Sequence, residues 1–471
     1  MEMLMEYQKF VRSMLNKVYD TQFDQLVDIG EVILDKVASG GRFVIFGAGH
    51  GHILAEEMYE KPGGFMFPEI YNPMDLFGHP LKAGYVERNY EFGEVFYKSM
   101  NLNENDVFWL ISNSGTNGVV VELAKRCRED CVTLVTHTNM NHTKIVSPRH
   151  PSGKKMYEFA SYIVDNCGEH GDAIFPTVGD KKQGATSNMV GTFIFQGLNV
   201  VFASILSQSD CDEQSLKNNR FASKKNFSRE VVLEELKKYK EYYFRNFDEV
   251  VETQLKNIQT AAELSSEAVM KQGRNFMFGM VHEHSLVEEI HSRAGTIMCN
   301  KSVVMQNTDI QLYDGVKKAQ LYASIEKYAD ALLYSIDPKQ EDAFFCVTQT
   351  SNEPAMRRFV QLVKEKDCKV IVHTNKKYAD SISVNPVYLE ADVVLDNCGS
   401  KDNAGLTIGN FKVGAIGTSI GCFMNQCYVM SMTKYLYEHG IDMPTRISIN
   451  TDKGLIYTED LNRKFFNDTL I

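Results

Sequence analysis

Hydrophobic residues along this chain follow two periods. Short, unbroken apolar runs rich in branched and aromatic residues predict buried parallel strands. Examples are Phe43–Phe46 and the five residues after Asp106 in the predicted strand Asp106–Ile111. Between these runs, apolar residues recur every three or four positions, as they do on one face of a helix. Residues 2–39 show this spacing in two blocks, which predicts two helices. Strands that alternate with helices predict an α/β fold in which helices cover both faces of a parallel sheet.

The whole pattern occurs twice along the chain. Asn275–Gly279 repeats the first strand with its closing glycine, and further matches follow in the same order at a nearly constant offset. Because the period is far longer than a solenoid repeat, each copy is expected to be a whole domain. We expect one domain at 1–206, a polar linker at 207–229 and a second domain at 230–471. The matched segments are His50 with His282, His52 with His284, His137–Asn139 with His373–Asn375, Asp165–Gly168 with Asp396–Gly399, and Gly184-Ala185 with Gly414-Ala415.

Composition narrows the class of protein. The chain has 471 residues, of which 44% are hydrophobic, enough for ordinary globular cores. Its net charge of −11 argues against a general nucleic-acid binder, because phosphate backbones require a basic surface. No apolar run approaches the ~20 residues of a membrane span, and the charged N-terminus lacks the apolar region of a signal peptide. We therefore expect a cytoplasmic protein without a membrane partner.

The ten cysteines form no CxxC pair and lie mostly in apolar strand or helix contexts. This placement predicts reduced, buried thiols rather than a disulfide framework or a zinc knuckle. No spacing typical of metal ligands occurs elsewhere, so neither a metal nor another cofactor is expected.

Two polar loops each follow a predicted strand and precede a helix. The first contains Gly47 and Gly49 with His50 and His52, and the second is Ser112-Asn113-Ser114-Gly115-Thr116-Asn117. Unpaired backbone N–H groups and the positive end of a helix dipole make such loops anion sites, and hydroxyl groups add hydrogen bonds to a phosphate. The alternative for the second loop is a helix cap with turn residues. Thr186-Ser187, at the start of a later helix, is a further candidate contact to phosphate or sugar.

These loops resemble the sugar isomerase (SIS) domain superfamily of phosphosugar isomerases and binding proteins. The first loop, the Ser-x-Ser-Gly sequence at Ser112–Gly115, and Ser147–Lys154 followed by Asp165–Gly168 carry the resemblance, which covers nearly the whole chain once per half. It implies a five-stranded parallel sheet between helices in each half. It also implies an internal pseudo-dimer, a small phosphorylated sugar as ligand, and room for a homodimer. A tail from Met443 to Asp452 resembles the end of one bacterial branch and follows only the second copy.

The resemblance also implies roles for individual residues. Glu57 lies in an Ala-Glu-Glu sequence similar to the one that carries the base of phosphoheptose isomerases, and Glu87 is a second candidate base. His50 and His52 are candidates for opening the sugar ring or orienting it, since an imidazole titrates near neutrality. The alternatives are that the glutamates are solvated helix surface and that the histidines bond to backbone. His150, Ser152 and Lys154 could reach the ligand or form an ordinary loop.

Two departures from the family leave the function open. The helix at 187–206 contains no histidine where phosphoheptose isomerases supply a catalytic one. In the second half, Thr348–Glu353 replaces the serine loop, and an acid stands where a phosphate would bind, although His282, His284 and Glu289 remain. We therefore expect the first half to bind phosphosugar, and the second half to lend side chains or serve as scaffold. An aldose–ketose isomerase acting through an enediol is the leading hypothesis, with a non-catalytic phosphosugar sensor and a lyase or etherase as alternatives.

Overall fold

A computed structural model describes residues 1–59, 61–73, 76, 80–209, 227–291, 293–297, 302–306, 316–451 and 453–466 of the chain. Each half contains a five-stranded sheet in which every neighbouring pair of strands is parallel, and helices lie on both faces. The predicted fold class is therefore confirmed. Most of the predicted linker, 210–226, lies outside the described residues.

The strand order is the same in the two sheets. It is β2-β1-β3-β4-β5 in the first half and β9-β8-β10-β11-β12 in the second. The strands of the first half are β1 (Phe43–Gly47), β2 (Pro68–Ile70), β3 (Val107–Ile111), β4 (Thr133–Thr138) and β5 (Tyr162–Asp165), followed by the short hairpin strands β6 (Phe175–Pro176) and β7 (Lys182–Gln183). Those of the second half are β8 (Asn275–Gly279), β9 (Ser302–Gln306), β10 (Ala343–Val347), β11 (Lys369–Thr374) and β12 (Val393–Asp396), followed by the hairpin strands β13 (Leu406–Ile408) and β14 (Phe411–Val413).

The helices also occur in matching positions. Those of the first half are α1 (Glu2–Ala38), α2 (Gly51–Glu56), α3 (Pro80–Arg88), α4 (Tyr90–Met100), α5 (Gly118–Glu129), α6 (Met140–Ile145) and α7 (Ser187–Ser207). Those of the second half are α8 (Arg229–Met270), α9 (His284–Glu288), α10 (Val316–Ala323), α11 (Glu326–Ile336), α12 (Pro354–Lys364), α13 (Lys376–Ile382), α14 (Gly417–Glu438) and α15 (Gly454–Phe466).

Helix α1 is continuous, so the prediction of two helices over residues 2–39 is wrong. The polar residues between the two apolar blocks do not break the helix. The Thr21 hydroxyl donates to the carbonyl of Lys17 one turn earlier, which keeps this polar stretch compatible with a helix. The equivalent segment of the second half is likewise one helix, α8.

Helices α7 and α14 lie at the centre of one hydrophobic core that both halves share. Helix α7 is long and apolar enough to cross a membrane by length and composition alone, although no such segment was expected. Every residue of its apolar window is buried inside the protein, which is typical of the core helix of a soluble protein. Hydrogen bonds join the halves in this core, where the Ser419 hydroxyl donates to the Met189 carbonyl at 2.8 Å. The predicted internal pseudo-dimer thus has a continuous core.

A buried cluster of two histidines and two glutamates joins the halves near the carboxyl ends of the sheets. We call His52, Glu56, His284 and Glu288 the His–Glu quartet. His52 Nε2 lies 2.8 Å from Glu288 Oε2, and His284 Nε2 lies 2.8 Å from Glu56 Oε2, so each imidazole pairs with a carboxylate of the other half. His284 Nδ1 also lies 2.9 Å from Glu288 Oε1.

The quartet raises the pKa of both of its histidines. Burial opposes protonation of His284, but the carboxylates of Glu56 and Glu288 outweigh it and raise the pKa of His284 to about 10. Burial likewise opposes protonation of His52, and Glu288 still raises its pKa. The pKa of Glu288 lies well below its ordinary value, since the two imidazolium groups outweigh its burial. The quartet is therefore a set of alternating buried charges, and removal of one partner would leave another uncompensated.

We predict that the free energy of unfolding falls as pH rises above 6.5 towards 10. The pKa of His284 is higher in the folded state than its ordinary value of 6.5, so its contribution is complete below pH 6.5 and is lost as pH passes through the folded value. Urea denaturation at about pH 6 and about pH 9 measures the difference. In Glu56→Gln, which removes one carboxylate, the difference should shrink.

The control for this experiment is His439→Gln, which removes an exposed histidine at the end of α14. This variant should keep the pH dependence of the unmodified protein. If Glu56→Gln also keeps it in full, the quartet is not its source.

Candidate functional site

A cavity of about 170 Å³ lies at the carboxyl ends of β1 and β3. Its wall includes the loop Ala48–His52, Ser112-Asn113 and Glu87 from the first half. The second half contributes Glu288, His291 and Arg293, and the segment Ile447–Asn450 near the end of the chain completes the wall. The cavity therefore belongs to both halves, in line with the prediction that the second half lends side chains.

Glu87 is a buried carboxylic acid on the wall of this cavity. It lies at the end of α3, is 4% exposed, and accepts a hydrogen bond from Asn117 Nδ2 at 2.6 Å. Burial raises its pKa to about 7, against the opposing effects of Arg88, Asn117 and Arg149. A carboxyl group with this pKa can give or take a proton near neutral pH.

Gly49 allows Glu87 to approach the first loop. Its φ is +54°, in the left-handed region that favours glycine, and a Cβ at this position would lie 2.8 Å from Glu87 Oε1. The second half has Val281 at the matching position, with a φ of +55°. The backbone conformation of the loop is therefore the same there, but a branched side chain replaces the glycine hydrogen. The close approach of a carboxylate is thus available in the first half alone.

His50 and His291 are neutral imidazoles on the wall of the same cavity. Burial lowers the pKa of His50 to about 4 and that of His291 to about 3, and nearby arginines act in the same direction. His50 Nε2 lies 3.2 Å from the carbonyl oxygen of His291. Because a carbonyl oxygen only accepts, Nε2 carries the proton and Nδ1 is left as a hydrogen-bond acceptor.

The serine loop has unused hydrogen-bonding capacity. The Ser112 hydroxyl accepts the N–H of Gly115 at 3.2 Å, which holds the loop in a tight turn. The hydroxyls of Ser114 and Thr116 are buried and have no hydrogen-bond partner within the described part of the chain. Since buried polar groups are normally paired, these two hydroxyls are candidates for contact with an ordered water molecule or a ligand. They lie behind the wall of the cavity, to which this loop contributes Ser112 and Asn113.

A carboxylate occupies the start of helix α7. Asp172 Oδ1 accepts the N–H groups of Thr186 and Ser187, each at 3.0 Å, and Oδ2 accepts the Ser187 hydroxyl at 3.0 Å. Arg293 Nη2 lies 3.0 Å from the same carboxylate. Burial opposes ionisation of Asp172, but Arg293 and these donors outweigh it and lower its pKa. The backbone N–H groups of Thr186 and Ser187 therefore donate to Asp172 rather than to a ligand in the cavity.

The segment near the end of the chain is tied to the first half by two arginines. Arg149 donates from Nη2 to the carbonyl of Asn450 at 2.9 Å and from Nη1 to Asn117 Oδ1 at 2.7 Å. Arg88 donates to the carbonyl of Ile449 at 2.6 Å. Asn117, which also donates to Glu87 and to Asn450, thus links the acid to this segment.

Glu57 and His52, two of the predicted catalytic residues, do not lie free in the cavity. Glu57 accepts Lys61 Nζ at 2.5 Å and Gln196 Nε2 at 2.8 Å between the halves, outside the cavity wall. His52 touches the wall but is held by Glu288 and by the carbonyl of Gly49. Glu87 and His50 are the predicted catalytic residues that the structure brings together.

The predicted contacts from the loop after Ser147 also lie elsewhere. His150 pairs with Glu122 at 2.8 Å, and Ser152 bonds to the other nitrogen of His150. Lys154 Nζ lies 5.2 Å from the centre of the Phe159 ring. None of these three side chains is on the wall of the cavity, so the interpretation as an ordinary loop fits their placement.

The predicted residues of the second half have different positions. His284 belongs to the His–Glu quartet, and Glu289 accepts Asn188 Nδ2 at 2.8 Å and pairs with Arg293. Burial raises the pKa of Glu289 to about 7, although Arg293 acts against it. His282 lines a second cavity in its own half.

Several residues of the site were not predicted from the sequence. Arg149 stands within the Ser147–Lys154 motif and Asn450 within the tail, so the motifs that carry the family resemblance contained both. Arg293 stands where the first half has Lys61, four residues after the repeated glutamate, which the internal repeat could have revealed. His291 has no signal of this kind. Among the described residues, no group of three or more His, Cys, Asp or Glu could hold a metal ion.

Two solved structures to which this chain is similar share little sequence with it. The C-terminal domain of glucosamine-fructose-6-phosphate aminotransferase from Francisella tularensis matches 94% of this chain and 96% of its own, with a TM-score of 0.45 and 11% identity. Phosphoheptose isomerase from Neisseria gonorrhoeae matches 35% of this chain and 86% of its own, with a TM-score of 0.25 and 13% identity.

Sequence relatives correspond in length to one half of the chain. A UPF0309 protein of Halalkalibacterium halodurans is 35% identical over 217 residues, which are 45% of this chain and 90% of the relative. A UPF0309 protein of Geobacillus kaustophilus is 29% identical over 43% of this chain and 81% of its own length. The model of the SIS domain matches residues 6–139 and again residues 238–375. The chain therefore belongs to the SIS domain family, with one copy of the domain in each half.

Proposed function

We propose that the cavity of the first half binds a phosphorylated sugar and interconverts its aldose and ketose forms. One observation carries the proposal: an acid with a pKa near 7, Glu87, and a neutral histidine, His50, meet at one cavity beside a loop with two unpaired hydroxyls. The phosphate is held by the hydroxyls and amides of Ser112–Thr116, at the N-terminal end of α5. This placement directs the two reacting carbons of the sugar, at the end away from the phosphate, towards Glu87.

The isomerisation needs a proton to move between neighbouring carbons. The Glu87 carboxylate takes the proton from one carbon and returns it to the other, through an enediol. Nδ1 of His50 accepts the proton of the anomeric hydroxyl while the bond between the anomeric carbon and the ring oxygen breaks. The imidazolium then gives this proton to the ring oxygen, which leaves an open chain with a carbonyl and a hydroxyl. Asn117, held by Arg149 and Asn450, keeps the carboxylate of Glu87 in place. The base in this proposal is therefore Glu87 rather than Glu57.

A sugar-phosphate sensor is the second candidate. It is favoured by the absence of a histidine in α7, where phosphoheptose isomerases carry a catalytic one. The two functions differ in solvent exchange. An isomerase exchanges the carbon-bound proton of its ligand with deuterium from the solvent, whereas a sensor binds without exchange.

We predict that Glu87→Gln lowers solvent exchange of the C2 proton by at least about 100-fold, because the amide cannot take the proton. Binding of the same sugar phosphate, measured by calorimetry, should change little. Glu57→Gln is the matched variant, and it should retain exchange, since Glu57 lies outside the cavity. Loss of exchange in Glu57→Gln but not in Glu87→Gln would show that the base is Glu57.

We predict that the rate of exchange rises with pH through about 7 and then reaches a plateau. Glu87 acts as a base only when ionised, and its pKa is about 7. His50 stays neutral over this range because its pKa is about 4. A profile of exchange rate under saturating sugar phosphate from about pH 5 to about pH 9 tests this. A rate that is already at its maximum at the acid end would contradict the role given to Glu87.

We predict that Thr116→Val weakens binding of a sugar phosphate by about tenfold, the loss of one hydrogen bond to a charged group. Stability should stay the same or rise, because the variant removes a buried hydroxyl that has no partner in the described part of the chain. Calorimetry measures the affinity and thermal denaturation measures the stability. Thr143→Val is the control, since its hydroxyl already donates to the Ser114 carbonyl at 2.7 Å, and it should lose stability. Unchanged affinity in Thr116→Val would place the phosphate elsewhere.

A further inference from the structure

The second half has its own cavity, of about 430 Å³, at the carboxyl ends of its sheet. Its wall combines Glu283, Glu353, Asn403 and Gly417 of the second half with Lys61 of the first. It is the counterpart of the first cavity. Lys61 and Arg293 occupy matching positions of the repeat, and each lies on the wall of the cavity that belongs to the other half.

A carboxylate already occupies the loop that corresponds to the serine loop. Thr348 Oγ1 donates to Glu353 Oε2 at 2.6 Å, and the Thr350 hydroxyl donates to the other oxygen. In the first half the same position is Asn117, and the hydroxyls of Ser114 and Thr116 are unpaired within the described residues. Glu353 thus satisfies the donors that a ligand phosphate would need, and its charge repels one.

The start of the long helix shows the opposite difference. Asp172 takes the first amides of α7, but its counterpart is Asn403, which has the same left-handed conformation (φ +65° and +53°). Asn403 is 9% exposed, and its side chain makes no hydrogen bond within the described residues. Gly417 replaces Ser187, and no described side chain accepts the N–H groups of Gly417 or Thr418. A helix of 22 residues therefore points its positive end at this cavity without a capping carboxylate.

Lys61 adds a positive charge at the same end of the cavity. Its side chain is 8% exposed, pairs with Glu57 at 2.5 Å, and donates to the hydroxyl of Thr418 in the first turn of α14. In the first half the corresponding arginine, Arg293, pairs with Asp172 as well as with a glutamate. Replacement of Asp172 by Asn403 leaves the second cavity with one carboxylate fewer here.

We propose that the second cavity is a separate ligand site that takes a small zwitterionic ligand in the reverse orientation. The anionic group lies at the start of α14, between Asn403 and Lys61, and an ammonium group lies opposite it at Glu283 and Glu353. Asp172 holds the start of the long helix in the first half, whereas Glu353 holds the loop in the second half. In the second cavity the start of the helix is therefore the end without a capping carboxylate, and it accepts the anionic group of the ligand.

The acidic end supports the ammonium group. Burial raises the pKa of Glu283 to about 7, and the charge of Glu353 raises it further, against the effect of Lys61. A cation bound between the two carboxylates offsets both the burial of the Glu283 charge and its repulsion by Glu353. This site stands apart from Glu87 and His50, so it does not depend on turnover at the first cavity.

Asn403→Asp tests the site, because it gives the second half the carboxylate that caps the helix in the first. The probe is glucosamine 6-phosphate, with glucose 6-phosphate as its amine-free match, both titrated by calorimetry. We expect two binding events per chain in the unmodified protein. Asn403→Asp should weaken one of them by about 100-fold through like-charge repulsion. Its melting temperature without ligand should be equal or higher, since the new carboxylate caps α14.

The outcomes separate the two sites. The event that Asn403→Asp removes should be at least about tenfold weaker for glucose 6-phosphate, and Thr116→Val should weaken only the other event. A single event that Thr116→Val weakens and Asn403→Asp leaves unchanged would overturn the second site and keep the first. A single event that Asn403→Asp removes and Thr116→Val leaves unchanged would keep the second site and overturn the first. Equal affinity of the second event for the two probes would overturn the zwitterionic ligand.

Discussion

The buried His–Glu quartet is the constraint on which the arrangement of both cavities depends. Each imidazole pairs with a carboxylate of the other half. If the two α/β domains shifted past each other, buried charged groups would lose their partners. This contact brings the end of α9 against the first loop, where the carbonyl of His291 orients His50. His52, a predicted catalytic residue, and His284, a predicted contribution of the second half, are therefore residues that hold the halves together.

Duplication produced two cavities on one plan, and the differences between them lie in a few charges. The carboxylate that neutralises the helix in the first half, Asp172, is neutral Asn403 in the second. The neutral Asn117 of the first loop is the acid Glu353 in the second. Each change leaves the backbone almost as it was: φ is +65° at Asp172 and +53° at Asn403, and −67° at Asn117 and −62° at Glu353. A duplicated domain can thus change the kind of ligand it favours while the loops that surround the ligand stay in place.

Local patterns predicted the sheets, the repeat and the loops, because strands, glycine turns and helix starts are encoded by neighbouring residues. Glu87 and His50 were among the predicted residues for the same reason. Contacts between distant segments were beyond such patterns. Glu57 and His52 lie at the predicted helix start, but their partners depend on contacts that local patterns do not encode. Lys61, which pairs with Glu57, also donates to Thr418 of the second half, and Glu288 of the second half pairs with His52. Arg293 and His291 enter the site only through packing of the two domains, and hydrophobic periodicity does not encode that packing. Asp172 enters it through hydrogen bonds with Thr186 and Ser187 of the same half.

The segment Ile447–Asn450 explains why the two halves differ in more than charge. This stretch follows the second copy of the domain and not the first, and it lines the first of the two cavities. Arg149 and Arg88 fix it to the first, and Arg149 belongs to a stretch that the second half lacks. Through Asn117 the same segment reaches Glu87. Any catalytic role for that acid therefore requires the last part of the second domain, although the acid itself lies in the first.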